Sequence, residues 1–167
     1  KDRLRKQMVE ATAAGVTPSP DYPYRGDFAD EYRTRQVECA VALYSKMGIG
    51  RDDKEGRMRA VLRNFEFFDA PHIAFLGMHP DFGTTVAIDV GMFAQSLMLS
   101  MVAFGLHSCP MGTMRNYPDM VREAFEIEDG TKILFGISFG YEDPSVAANE
   151  TRTTRDDISA NIVFRRE

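Results

Sequence analysis

The sequence predicts a mixed fold of helices and short strands within one domain, and three observations predict it. Apolar residues recur at three- and four-residue spacing through Val37, Ala40, Val41 and Tyr44, which makes one stripe on a helix. Two apolar runs, residues 72–78 and 132–141, are bounded by turn signals and read as buried strands. Residues 84–106 contain no Lys, Arg or Glu, and Asp89 is their only charge, so they read as a long helix that is apolar on nearly every side. With 167 residues, 44% of them hydrophobic, the chain is long enough to bury a real core as a single domain over residues 1–167.

The elements follow in order. Residues 2–14 read as a helix with Asp2 at its start and Gly15 as its stop. Pro18, Pro20 and Pro23 make residues 16–26 an extended surface linker, because proline fixes φ and lacks a backbone donor. The striped helix covers residues 30–47 and is ended by Gly48 and Gly50. A third helix, residues 52–64, carries acids in its first turn and arginines later, as the macrodipole favours. Phe65, Phe67 and Phe68 read as core packing before Pro71. The first strand ends at the turn signal His79-Pro80-Asp81. At about 1.5 Å per residue, the apolar helix that follows is long enough to cross a bilayer. Asp89, Gln95, Ser96 and Ser100 are too polar for lipid, Gly91 and Gly105 weaken that reading, and no basic anchor lies close by. A central helix whose burial is completed by a second subunit fits better. Residues 110–113 read as a loop, and residues 118–127 as a short helix with Pro118 near its first position. Asp129-Gly130 makes a turn. Gly136 and Gly140 inside the last strand mark close approach by another backbone or a ligand. Residues 142–167 read as irregular and charged, apart from an apolar patch at Ile162, Val163 and Phe164.

Charge and cysteine use exclude several functions. A formal charge of -5 and a pI near 5.3 do not suit sequence-independent binding of nucleic acid, which needs a basic face. Local basic clusters at Lys1–Lys6 and Arg152–Arg155 suffice for one phosphate. Cys39 and Cys109 are expected to be free thiols, with a single disulfide as the alternative. No CxxC or Cys/His ligand spacing is present, so no metal site is expected. His72, His79 and His107 are scattered singly and read as structural or exposed. Cys109 reads as a small buried residue, not a nucleophile, because its only nearby base is His107. The first residue is Lys1, not Met, and the sequence reads either as a piece or processed form of a longer chain or as a shortened one.

Five features stand in a fixed order: a strand, an all-apolar helix, a Pro-Met-Gly segment, a Gly-rich strand and an Arg-Thr-Thr-Arg tail. The residues are Ile88 to Leu99, Phe104-Gly105-Leu106, Ser108-Cys109-Pro110-Met111-Gly112, Tyr117-Pro118-Asp119, Gly136 to Tyr141, and Asn149 to Arg155. In this order they resemble the nitroreductase family of FMN-dependent NAD(P)H oxidoreductases, over about two-thirds of the chain from Phe67 onward. The resemblance implies an α+β fold, with a small, mostly antiparallel sheet flanked by helices and the long apolar helix at a homodimer interface. It also implies that the segment near Ile162 to Phe164 extends onto the partner.

The resemblance further implies where a cofactor binds. Pro110, Met111, Gly112 and Thr113 would lie beside the flavin, with the N–H groups of Gly112 and Thr113 facing its N5 and O4. Such donors stabilise electron density that develops there, and glycine permits close approach. Arg152 and Arg155 would reach the FMN phosphate, for which the guanidinium fork is well shaped. No residue is singled out as catalytic, because the cofactor carries the redox chemistry. The family's N-terminal Arg-Ser-x-Arg and Asn-x-Gln-Pro-Trp segments are not in this sequence, which reads as starting just after them. The implied activity passes hydride from NADH or NADPH through FMN to a small electron-poor acceptor, by a ping-pong route. The acceptor would be a nitroaromatic, a quinone or an activated alkene. The expected compartment is the cytoplasm, with neither nucleic acid nor membrane as partner. The alternatives are a non-catalytic flavin- or ligand-binding dimeric scaffold, and a reductive dehalogenase on the same fold.

Overall fold

The computed structural model describes residues 1–23, 26–127 and 130–165. In chain order the elements are α1 (Asp2–Ala13), α2 (Asp30–Lys46), α3 (Lys54–Phe65), β1 (His72–Met78), α4 (Thr84–Ala103), β2 (His107–Met111), α5 (Pro118–Phe125) and β3 (Lys132–Gly140). They group into two compact units: Lys1–Gly26 with Asp53–Glu142, and Asp27–Asp52 with Asp143–Glu167.

The first unit is built on a three-stranded antiparallel sheet of order β1-β3-β2. β3 takes the centre because it is apolar enough to be covered on both faces; Ile133, Ile137 and Ser138 are all buried. One face packs on α1, α3 and α5 through Leu4, Met8, Phe65, Met111, Val121 and Ile133. The other packs on α4, where Leu76, Ile137 and Phe135 meet Val90, Ala94, Leu97 and Met98. Ile133 and Phe135 serve opposite faces although they are two apart. The register explains this: Leu76 pairs with Phe135 but Gly77 pairs with Ile133, so Leu134 is an extra residue that reverses the alternation. Gly77 is required at this bulge, since a Cβ there would lie 2.7 Å from the Lys132 carbonyl oxygen.

One expectation is corrected here. Residues 107–111 form a strand, so Pro110 and Met111 are strand where a loop was expected. The segment His-Ser-Cys-Pro-Met is short and lacks apolar alternation, yet it pairs with β3 from His107↔Gly140 to Met111↔Gly136. Pro110 is tolerated because β2 lies at the sheet edge, where a missing N–H breaks no second ladder. For α4, the single chain leaves an apolar side uncovered, as a helix whose burial needs a second subunit should. Within this chain only Ala94 and Met101 of α4 are buried, while Ile88, Met92, Phe93, Leu99 and Val102 are exposed, up to 66% at Val102. The helix is apolar all round, but this chain covers one side of it. By length and composition alone it could cross a membrane.

Local chemistry sets the helix ends. Gly15 and Gly105 take left-handed φ of 71° and 72° just beyond α1 and α4. Asp53 caps α3 by accepting from the Gly56 N–H at 2.8 Å. Pro118 opens α5, and Glu126 closes it in the left-handed region. Phe65 and Phe67 are core as expected, whereas Phe68 is 40% exposed. Phe67, Phe68 and Asp69 form a left-handed turn with φ of 58°, 52° and 60°. Such backbone is unfavourable for L-residues. It is held by Arg63 on Asp69 at 2.6 Å, by Arg5 on Asp69 at 3.2 Å and by Lys1 Nζ on the Ala70 carbonyl at 2.7 Å.

The proline-rich linker is pinned to the sheet. Asp21 accepts from the Ile133 N–H at 2.7 Å and from Arg122 at 2.8 Å, with Lys132 at 3.7 Å. Burial acts to raise the Asp21 pKa, but these hydrogen bonds and cationic charges outweigh it and hold the carboxyl below its usual range. Tyr24 of the linker and Asp129 of the expected turn lie outside the described residues.

The second unit contains α2 and the C-terminal segment. Arg35 binds Asp156 at 2.7 Å and Lys46 binds Glu150 at 2.9 Å, which ties the segment to the helix. Two short 3-10 turns, Ala147–Glu150 and Ile158–Ala160, shape the segment. No α2 residue is buried, and the expected stripe is open to solvent at Val37 and Val41. Ile162, Val163 and Phe164 are likewise exposed.

Candidate functional site

The structure places Pro110, Met111, Gly112 and Thr113 at the end of β2, where the strand passes into a 3-10 turn, Gly112–Asn116. Their side chains divide the work. Met111 is buried and belongs to the core beneath the sheet, as does Met114. Pro110 and Gly112 are exposed. A Cβ added at Gly112 would meet no atom of the chain within 4 Å, so its α-carbon looks onto open space.

The other glycines singled out in the strand behave differently. A Cβ at Gly136 would lie 2.8 Å from Met114 Cγ, and one at Gly140 would lie 2.6 Å from Pro71 Cδ. Protein side chains, not a ligand, fill the space these two leave. Gly136 therefore lets Met114 seat against β3, which anchors the turn that follows Gly112. By position, the N–H groups of Gly112 and Thr113 open that turn and have no carbonyl partner within it. Thr113 is further held by its hydroxyl, which donates to Asn64 Oδ1 at 3.3 Å.

Cys109 was expected to be buried and is exposed, because the core that buries Met111 at the end of the same strand does not extend to it. Its neighbours still desolvate the thiol enough to push its pKa up, which disfavours the thiolate. His107 does not serve it: Nε2 of His107 lies 3.2 Å from Glu142. Cys39 is also free and exposed. Among the described residues no group of three or more His, Cys, Asp or Glu could hold a metal ion.

Arg152 and Arg155 belong to the second unit and are exposed. Arg152 Nη1 donates to the carbonyls of Asn149 and Thr151 at 2.8 and 2.9 Å. Arg155 Nη1 donates to Thr153 Oγ1 and the Thr154 carbonyl, both at 2.8 Å. Neither guanidinium forms a direct ion pair with a carboxylate among the described residues, so each keeps donors for an anion. Asn64 and Asp21 were not singled out from the sequence. Asn64 is an ordinary polar residue near a helix end, and only its contact with Thr113 gives it meaning.

Residues 2–141 match the model of the nitroreductase family. The chain belongs to the nitroreductase family. This nitroreductase-family chain is 36% identical over 167 residues to nitroreductase NfnB of Mycolicibacterium smegmatis (strain ATCC 700084 / mc(2)155), a match spanning 99% of the chain and 70% of that protein. It is 30% identical over 166 residues to the chloronitrobenzene nitroreductase of Comamonas testosteroni, spanning 98% of the chain and 73% of that enzyme. It superposes with a TM-score of 0.92 on the crystal structure of the FMN-dependent nitroreductase NfnB from Mycobacterium smegmatis in complex with NADPH. That superposition covers 99% of this chain and 74% of the other at 36% identity. The nitroreductase fold accounts for the α+β class and the small antiparallel sheet expected from the sequence.

Proposed function

We propose that this chain is an FMN-dependent NAD(P)H oxidoreductase of nitroreductase type, acting on nitroaromatic acceptors. The similarity to NfnB, an FMN-dependent nitroreductase crystallised with NADPH, carries the reading, because it extends over 99% of the chain. Bound FMN would supply the hydride chemistry, accepting from NADPH or NADH and reducing the acceptor in ping-pong order. Quinones and activated alkenes belong to the same electron-poor class and are proposed as secondary acceptors.

The chain's own contribution is to hold the group and to tune it. Open space at Gly112 fits a planar ring brought close to the backbone. In this proposal the N–H groups of Gly112 and Thr113 donate to the electron-rich edge of the flavin, where fixed dipoles act without reorganising. Pro110 and Met111 bring the chain to that position, Met111 by its buried anchor. Arg152 and Arg155 bind the phosphate. All 167 residues are proposed as one family domain, and the cytoplasm as its compartment. The exposed side of α4 is proposed to meet a second copy. It carries Ile88, Met92, Phe93, Leu99 and Val102 with no charge but Asp89, a surface that is costly to leave in water. Exposed Ile162, Val163 and Phe164 are proposed to extend onto the partner.

Purified protein mixed with FMN should take up the flavin with a shift in its absorbance bands. The complex should then oxidise NADPH in the presence of nitrobenzoate. Protein that binds no FMN in equilibrium dialysis would overturn the reading.

A further inference from the structure

Asn64 and Thr113 form a polar couple whose hydrogen positions are set by geometry. Asn64 sits in the last turn of α3, and its Nδ2 donates back to the carbonyls of Ala60 at 3.3 Å and Val61 at 3.2 Å. The amide nitrogen therefore faces its own helix, and Oδ1 is turned outward to accept from Thr113 Oγ1 at 3.3 Å. A threonine hydroxyl has one proton and two lone pairs. With the proton committed to Asn64, Oγ1 can offer a ligand only an acceptor. The backbone N–H of the same residue offers only a donor. Thr113 thus carries one donor and one acceptor, each of fixed sense. The residue cannot swing away, because Met111 and Met114 on either side are 2% and 0% exposed. It is itself only partly covered, and open space lies in front of Gly112.

We propose that Asn64 is a positioning residue that, through Thr113, makes this site selective for a ring edge carrying a carbonyl beside an N–H. The O4 and N3–H of a flavin are such an edge, and the inference rests on the FMN reading above. Without Asn64 the hydroxyl could rotate and act as donor or acceptor. Asn64 removes that choice, so a flavin methylated at N3 loses its donor and brings a methyl group against a lone pair.

The test measures binding of FMN and of 3-methyl-FMN to the full chain by quenching of flavin fluorescence, with thermal unfolding of the flavin-free protein alongside. The wild type should prefer FMN by about tenfold or more, the effect of one hydrogen bond with its desolvation penalty. Asn64→Leu should weaken FMN binding by about three- to tenfold and shrink the preference to about threefold or less. Thr113→Val should do the same from the other partner, which keeps the test valid if Asn64→Leu folds poorly, and Thr113→Ser should retain the preference. The double variant Asn64→Leu/Thr113→Val should be no worse than Thr113→Val alone. An undiminished preference in Asn64→Leu or in Thr113→Val, or single effects that add independently, overturns the proposal while leaving the FMN reading intact. A wild type that binds neither flavin overturns both.

Discussion

Replacing Gly112 with valine separates a ligand's space from a fold's space. A side chain at residue 112 meets nothing of the protein within 4 Å of its Cβ. The backbone there is not left-handed, since Gly112 is absent from the glycines of positive φ. Folding should therefore change by no more than about 0.5 kcal/mol, the range of an unconstrained surface substitution. If a flavin lies against this residue, the added methyl groups must displace it or be overpacked, at about 1–3 kcal/mol. Pushing the ring from the Gly112 and Thr113 amides adds the loss of hydrogen bonds to an electron-rich edge, worth about 1.5–3 kcal/mol. Even the lower end of each, together about 2.5 kcal/mol, weakens FMN binding roughly 70-fold. The assay pairs thermal unfolding of the flavin-free protein with an FMN titration. Gly136→Val is the control, because its Cβ would lie 2.8 Å from Met114 Cγ and should cost folding about 1–3 kcal/mol. A Gly112→Val protein that binds FMN like the wild type would refute the reasoning. So would one destabilised as much as Gly136→Val, since the space would then belong to the fold.

Four further outcomes follow from particular contacts. Arg155→Ala should weaken FMN binding by about tenfold or more, and should leave riboflavin, which lacks the phosphate, within about twofold; equal losses for both flavins would remove Arg155 from the phosphate. Asp21→Ala should destabilise the protein by about 3 kcal/mol at neutral pH, because it strips a buried carboxylate from Arg122 and from the Ile133 N–H. The folded-state pKa of Asp21 lies below its ordinary 3.8, so its contribution is complete above 3.8 and is lost as pH falls through the lower folded value. Acid titration of stability should accordingly be shallower below 3.8 in the Asp21→Ala variant than in the wild type. Gly77→Ala should cost about 1–3 kcal/mol in chemical denaturation, since its Cβ would sit 2.7 Å from a backbone oxygen that cannot turn aside. Leu99→Glu, at a residue 62% exposed in the single chain, should leave that chain folded and convert a dimer to a monomer in light scattering; a dimer that survives would place the interface elsewhere.

What the sequence made legible, and what it hid, divides along the range of the interactions concerned. β1 was legible to the residue because a continuous apolar run between Pro71 and His79-Pro80 is a local signal. The stop of α1 was legible within a residue for the same reason, through Gly15. β2 was hidden because nothing in His-Ser-Cys-Pro-Met alternates; its extended form comes from pairing with a strand some 30 residues later, and pairing is not written into five residues. The apolar composition of α4 was visible, and with it the need for cover from beyond a domain this small; which side this chain covers was not, since that is set by the sheet it packs on. The candidate site shows the same division more sharply. Gly112 could be marked from the sequence as a residue able to admit a ligand, and so could Gly136 and Gly140. Only the packing separates them, because Met114 and Pro71 fill two of these spaces and leave the third empty. The partners that give the site its polarity lie further still from any local pattern. Asn64 is 49 residues from Thr113, and Asp21 is 112 residues from Ile133. A motif can name the backbone that faces a cofactor, but the hydrogen bonds that fix its donor and acceptor sense are tertiary, and they form only once the helix and the sheet have met.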